Sequence, residues 1–257
     1  MTDAFYRREG ERLFAPLTPS TGPWDPRNQN GVALAGLMAH VCETAGASHG
    51  LDLARYHIDI LKPTPMALSE ITVERLRGGR RLQVLEAHLR VDGELTARAS
   101  AVLMRTAPTP ASPPAGPPPE PPEALDPARR MKSRSAIRDL LESRLRYGGA
   151  DELGPGAAWL KFTGDIVEGS PITPFVQAAM VSDIGSGLSS IVDWRTHTFA
   201  NVDITLNLSR APVGAWAYVE SETVTHGQGR ALVNTILSDR GGEFARAHQT
   251  LFIEPRG

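Results

Sequence analysis

Gln249 lies in the run Ala245-Arg246-Ala247-His248-Gln249-Thr250-Leu251. In a strand, alternate residues share a face, so Ala245, Ala247, Gln249 and Leu251 point the same way. A side-chain amide among small apolar neighbours needs hydrogen-bond partners once buried, and it can donate to or accept from a water. Asp203 sits where Val202, Ile204, Leu206 and Leu208 make an apolar side and Asn201, Asp203, Thr205 and Asn207 the other. A carboxylate there either orients or deprotonates a water, as a general base does, or simply solvates a strand face. Thr223 and Ser221 share the parity of another strand candidate and offer hydroxyls, although threonine is also a good strand former. The stretch Asp183-Ile184-Gly185-Ser186-Gly187 and the pair Asn30-Gly31 suit a helix terminus that offers free amides to a developing negative charge. Asp183 is a second carboxylate candidate, with an ordinary place on a helix surface as the alternative.

Other combinations carry less. His40, Cys42 and His49 are close in sequence, but helix positions two apart face different ways, so no metal site is expected. His57 and Asp59 share a strand face and read as structural, and His197 and His226 read as loop residues. No G-x-S-x-G, H-E-x-x-H or P-loop pattern occurs. With 27 Lys+Arg against 29 Asp+Glu the net charge is -2, which implies no attraction to nucleic acid or to an anionic membrane. No apolar run approaches the ~18 residues of a membrane span. Residues 1–11 are polar with both charge signs, unlike a secretory leader. The single cysteine, Cys42, excludes an internal disulfide and favours a reducing compartment. The expectation is a soluble, cytoplasmic protein.

The elements that must position these residues come in two copies. Residues 55–109 lie over 203–257 at a constant offset of 148. Lys62 falls on Arg210, Gly79 on Gly227, and Ala97-Arg98-Ala99 on Ala245-Arg246-Ala247. At this offset Gln249 corresponds to Ala101 and Asp203 to Arg55, so the first copy lacks both groups. Each copy reads as one apolar helix, Val32 to Ala47 and Thr173 to Ile191, followed by an antiparallel meander. Strands are expected at 55–61, 69–77, 81–91 and 95–105, and again at 200–208, 216–225, 231–239 and 243–253. Residues 107–127 are dense in proline, which excludes helix and inner strand and makes an extended linker. Pro127 to Arg146 reads as a polar connecting helix. The domains are thus 1–106, the linker 107–127, and 128–257.

Several of these segments resemble the TesB-like acyl-CoA thioesterases, which have a double hotdog fold. Asn30-Gly31-Val32-Ala33-Leu34-Ala35-Gly36-Leu37-Met38-Ala39 is similar to the start of their first helix. Leu61-Lys62-Pro63-Thr64-Pro65 is similar to a strand end, and 199–206 and 246–251 to the typical segments of the second half. The resemblance implies an α+β fold of two tandem repeats, each a long central helix wrapped by an antiparallel β-sheet. It implies hydrolysis of an acyl-coenzyme A thioester by an activated water, with no metal and no cofactor beyond the coenzyme A of the substrate. The family's site is an Asp, a Thr or Ser, and a Gln around one water. The matching positions are Asp203, Thr223 and Gln249, with Glu222 in place of Thr223 in a gapless match. Asp183, Gly185, Asn30 and Gly31 are secondary candidates. Arg55, Lys62 and Arg210 are candidates for the nucleotide end of the substrate, and a homo-oligomer is plausible for such a fold. A thiolate leaves readily, its conjugate acid titrating near ~8.5, so oxyanion stabilisation is the larger need. The alternatives are an enoyl-CoA hydratase or dehydratase on the same fold, and an acyl-CoA binder without turnover.

Overall fold

The computed structural model of the chain describes residues 3–46, 50–113, 116–149 and 152–256. Residues 4–105 carry β1 (Ala4–Arg8), β2 (Leu13–Pro16), α1 (Gly31–Gly46), β3 (Leu51–Ile60), β4 (Ser69–Arg77), β5 (Leu82–Val91) and β6 (Glu94–Arg105). Residues 141–255 carry β7 (Leu141–Tyr147), β8 (Gly156–Phe162), β9 (Asp165–Val167), β10 (Ser170–Pro171), α2 (Pro174–Leu188), β11 (His197–Leu208), β12 (Ala217–Thr225), β13 (Arg230–Asp239) and β14 (Gly242–Pro255). Among the described residues the strands form one sheet, in the order β10-β9-β1-β2-β4-β5-β6-β3-β11-β14-β13-β12-β8-β7. It is antiparallel throughout except where β9 runs parallel to β1.

Strict alternation decides which face is inner. In β5, Gln83, Leu85, Ala87, Leu89 and Val91 are buried while the residues between them are partly exposed. The helices fill the inner side. Both are apolar around most of their circumference, because one side meets the sheet and another the other helix. They touch at Gly36, where a Cβ would stand 2.7 Å from Met180 Cγ and 2.8 Å from Ile166 Cδ1. The small side chains of α1 are therefore what lets the two helices approach. No described helix is long and apolar enough to cross a membrane.

The two halves meet edge to edge where β3 pairs with β11. At the middle of that ladder His57 faces Thr205, 148 residues apart, with Nδ1 and Oγ1 at 2.8 Å. The opposed carboxylates of Asp59 and Asp203 are kept apart energetically by separate partners. Arg98 Nε donates to Asp59 Oδ2 at 2.7 Å, and the Thr250 amide donates to Asp203 Oδ1 at 2.7 Å. His57 Nε2 also stands 3.2 Å from Asp59 Oδ1, so this strand pair does touch. A further brace is β9–β10, which leaves the second half to cover the β1 edge of the first.

The meanders and both helices follow the sequence reading, with ends moved by a few residues. The expected helix end Ala47 lies outside the described residues, and Thr173 is the N-cap of α2, its Oγ1 accepting from the Val176 amide. The connecting helix over 127–146 is a correction. That region holds a short 3-10 turn, Ala136–Leu140, and then strand β7. Arginines at 144 and 146 alternating with Ser143 and Leu145 are a period of two, which the polar composition obscured. The described part of the proline-rich segment contains only a 3-10 turn, Pro122–Ala124, and its Glu120 carbonyl accepts from Trp159 Nε1 at 2.7 Å. Pro114 lies outside the described residues. His197 begins β11 rather than a loop.

Candidate functional site

The N-terminus of α1 is built with care. Asn30 is its cap: Oδ1 accepts from the Ala33 amide at 2.7 Å, while Nδ2 donates to the carbonyls of Pro19 and Thr21 at 3.0 and 3.1 Å. Gly31 and Val32 line a cavity, and their amides precede the first possible intrahelical acceptors. Directly against them is the carboxylate of Asp183, from the middle of the other helix. A Cβ on Gly31 would stand 2.4 Å from Asp183 Oδ1, so only glycine lets the carboxylate seat there. Asp183 keeps some surface toward the cavity but is otherwise enclosed by protein, and this desolvation pushes its pKa up to about 6, against a lowering hydrogen bond from Asn201.

Two amide side chains converge on the same turn of α2. Asn201 Nδ2 donates to Asp183 Oδ1 at 2.7 Å and to the Asp183 carbonyl at 3.3 Å. Gln249 Nε2 donates to that carbonyl at 3.0 Å. Asn201 Oδ1 and Gln249 Oε1 are buried acceptors without a protein donor, so each can accept from a water. Behind Gln249 lie Ser221 and Thr235, whose hydroxyls are 2.9 Å apart. A Cβ on Gly185 would meet Thr235 Oγ1 at 2.6 Å, and Gln249 Oε1 and Ser221 Oγ at 3.0 Å. Gly185 thereby lets these three polar groups press against α2.

Asn201 is the residue that sequence reasoning missed. Simple alternation puts it on the outer face with Asp203. In the structure Asn201 pairs with Leu251 and Asp203 with Thr250, which makes Val202 a β-bulge. The extra residue reverses parity, so Asn201 points inward while Asp203 stays outward. Nothing in local composition marks this bulge.

The cavity encloses about 590 Å³ and is lined by both halves. Its lining includes the α1 terminus with Leu34, Ile137 and Ile184, the stretch Phe199–Val202 and the stretch Met131–Ser135. That last segment is held by Ser135 Oγ, which donates to the Thr21 carbonyl at 2.5 Å.

The structure brings together Gln249, Asp183, Gly185, Asn30 and Gly31. It places Asp203 elsewhere: Ile204 is the residue opposite Gln249, and Asp203 caps the Thr250 amide on the outer face. Thr223 faces inward but further along, at 2.8 Å from Ser189 Oγ near the end of α2, whereas its neighbour Ser221 lies beside Gln249. Glu222 is exposed, opposite Asn234. Lys62 lines the cavity and pairs with Glu94. Arg55 reaches Ser100 on the outer face, and Arg210 is held by both oxygens of Asp239 at 2.6 Å. His40 is half-buried with its pKa lowered by desolvation and by Arg8, and burial pushes the Cys42 thiol up to about 12. His49 lies outside the described residues. Among the described residues no cluster of three metal-binding side chains occurs.

Residues 20–104 match the family model of the acyl-CoA thioesterase N-terminal domain, and residues 109–253 that of the acyl-CoA thioesterase C-terminal domain. A search of curated proteins finds no match. Among solved structures, a conserved protein of unknown function with a hot dog fold from Alicyclobacillus acidocaldarius superposes with a TM-score of 0.75 at 16% identity, covering 98% of this chain and 96% of the other. The acyl-CoA thioesterase II TesB2 of Mycobacterium marinum superposes at 0.70 with 14% identity, over 98% and 96%. The tesB protein of Mycobacterium avium subsp. paratuberculosis gives 0.70 at 16%, over 97% and 96%.

Proposed function

Because this chain belongs to the acyl-CoA thioesterase family and hydrolyses acyl-coenzyme A thioesters, we propose that Asp183 carries the proton transfer of that reaction. The observation behind the choice is the seating of its carboxylate on Gly31, at the edge of the large cavity. With a pKa pushed up to about 6, Asp183 is mostly ionised at neutral pH yet basic enough to take a proton from water. The water attacks the thioester carbonyl, and the oxygen that becomes negative lies at the free amides of Gly31 and Val32, where the α1 dipole adds to the hydrogen bonds. The carbon–sulfur bond then breaks, coenzyme A leaves as thiolate, and the acid remains. No cofactor is needed for these steps.

Gln249 and Asn201 act as positioning residues through Asp183, and their amide oxygens offer acceptors for the hydrolytic water. Ser221, not Thr223, takes the hydroxyl place beside Gln249. The apolar cavity receives the acyl chain between the halves. We further read the chain as a double hotdog divided into residues 1–106, a linker 107–127 and residues 128–257, set in the cytoplasm as a homo-oligomer. The repeat is supported by the equal offset of the two meanders, and the division cuts across the β1–β9 brace.

The test is release of thiol from a panel of acyl-CoAs, followed with a thiol reagent, for the parent, Asp183→Asn and Asp203→Asn. Loss in the first variant and near-parental rates in the second support the assignment. The reverse pattern returns the role to Asp203.

A further inference from the structure

The rim of the cavity is at odds with the chain's net charge of -2. Lys62, Lys132 and Arg134 line it, the last two exposed. Trp194, also in the lining, carries two guanidiniums: Arg134 lies 3.9 Å and Arg195 4.7 Å from its ring centroid. Arg256, whose amide donates to the Thr196 carbonyl, lies 5.1 Å from the centroid of Trp24. The rim carboxylate Asp25 is already taken by Arg27, and Arg195 shares Asp193 at 3.5 Å. Among the described residues neither Arg134 nor Arg256 forms an ion pair with a carboxylate.

A guanidinium stacked on an indole has one flat face covered and its N–H bonds directed outward in the ring plane. That is the fork that grips a phosphate with two hydrogen bonds. Stacking also orders the side chain beforehand, so less entropy is lost when an anion arrives. The segment that bears Arg134 is not loose. Its neighbour Ser135 is tied to Thr21, and the Asn30 amide reaches Ser135 Oγ at 3.4 Å. Asn30 is the cap of the helix whose amides face the reacting carbonyl, so the rim cluster and the reacting end share one anchor.

We propose that Arg134 and Arg195, held on Trp194, bind the phosphorylated nucleotide end of the coenzyme A thioester outside the cavity, while the acyl end reaches Asp183 within it. This rests on the assignment of hydrolysis to the same cavity. The substrate it selects is a thioester on a small phosphorylated carrier rather than on a short pantetheine-like thiol.

The full chain is assayed with one acyl group carried on coenzyme A and on N-acetylcysteamine, which has no phosphate. Adenosine 3′,5′-bisphosphate binding is measured separately by calorimetry. For Arg134→Ala, KM for the acyl-CoA rises about tenfold or more, the worth of one charge-assisted contact. The penalty on the truncated thioester is at least several-fold smaller, and the bisphosphate binds more weakly by a similar factor. Arg134→Lys, which keeps the charge and loses the fork, falls between. Equal penalties on both thioesters, or bisphosphate binding that Arg134→Ala and Trp194→Ala leave unchanged, would overturn the proposal. A parent that hydrolyses neither thioester yet binds the bisphosphate through Arg134 would instead sink the hydrolytic reading and keep the phosphate site.

Discussion

The cavity at the α1 terminus has a counterpart at the α2 terminus, and the two can be laid side by side residue by residue. The second measures about 150 Å³ and its lining includes Glu43, Leu53, Leu103, Phe175, Leu208, Ala211 and Pro212. At the offset of 148, Leu53 stands for Asn201, Ala101 for Gln249, and Leu208, Ala211 and Pro212 for Ile60, Pro63 and Thr64. The backbone devices are the same in both. Ala54 is skipped in the β3–β6 ladder as Val202 is in β11–β14, 148 residues apart. Thr173 caps α2 as Asn30 caps α1. The side chains differ. Phe175 fills space, edge-on to Tyr56 at 5.9 Å, and the Tyr56 hydroxyl donates to the Ala35 carbonyl. Pro174 replaces Gly31 and has no N–H to offer an oxyanion. Glu43, with its pKa raised by desolvation, is occupied by Thr173 Oγ1 at 2.9 Å. The same backbone devices thus occur at both helix ends, and four or five side chains decide that one cavity is the smaller.

The largest effect should come from Asp183→Asn. Its kcat/KM falls by about 10²–10⁴, the worth of a general base, while removing the carboxylate of the smaller cavity, Glu43→Gln, moves kcat/KM less than about twofold. Asp183→Asn also changes the pH dependence of stability. The folded carboxyl holds its proton up to about 6, above the usual 3.8. Asp183 therefore stabilises the fold when protonated, below about pH 4, and that contribution is lost as pH rises toward about 6. Denaturant titrations between those values should show this slope in the parent and lack it in the variant.

Gly31→Ala comes next. The added methyl displaces the carboxylate, and a loss of about 10²-fold in kcat is expected with little change in KM, since a 1 Å misplacement has that cost. Steady-state kinetics over acyl-CoA concentration distinguish this from a substrate-binding defect.

Asn201→Leu converts one wall to its counterpart, Leu53. It removes the hydrogen bond that lowers the Asp183 pKa, so the acid limb of the kcat/KM–pH profile moves upward from about 6. An unchanged limb would show that Asp183 does not titrate in the profile. The smallest effect on rate belongs to Phe175→Ala. It enlarges the smaller cavity and costs about 3–5 kcal/mol of stability in a urea melt, with catalysis of the folded fraction near parental.

Much of the scaffold is readable along the chain because its signals are local. The two apolar helices and the eight meander strands show their periods within ten residues, and Gln249 announces itself by its parity among alanines. Strands β1, β2, β9 and β10 escaped because they are only two to five residues long, β8 because it is buried on nearly every residue and so does not alternate, and β7 because arginines disguise its period. The choice between Asp203 and Asp183 was not local at all. Asp203 sits in the more typical segment, yet a single skipped residue at Val202 turns Asn201 inward and leaves Asp203 outside.

The chain alone carried the 148-residue offset, the helix-and-meander order of each half, the single cysteine and the parity of Gln249, since each is written in spacing or composition. Tertiary packing decided which carboxylate is enclosed beside the cavity. The Asp183 environment is assembled from the middle of one helix, the first turn of the other and two strands that lie far apart in sequence, and its raised pKa is a property of that enclosure. Desolvation and helix-end amides act through space, so no pattern of neighbouring residues encodes them.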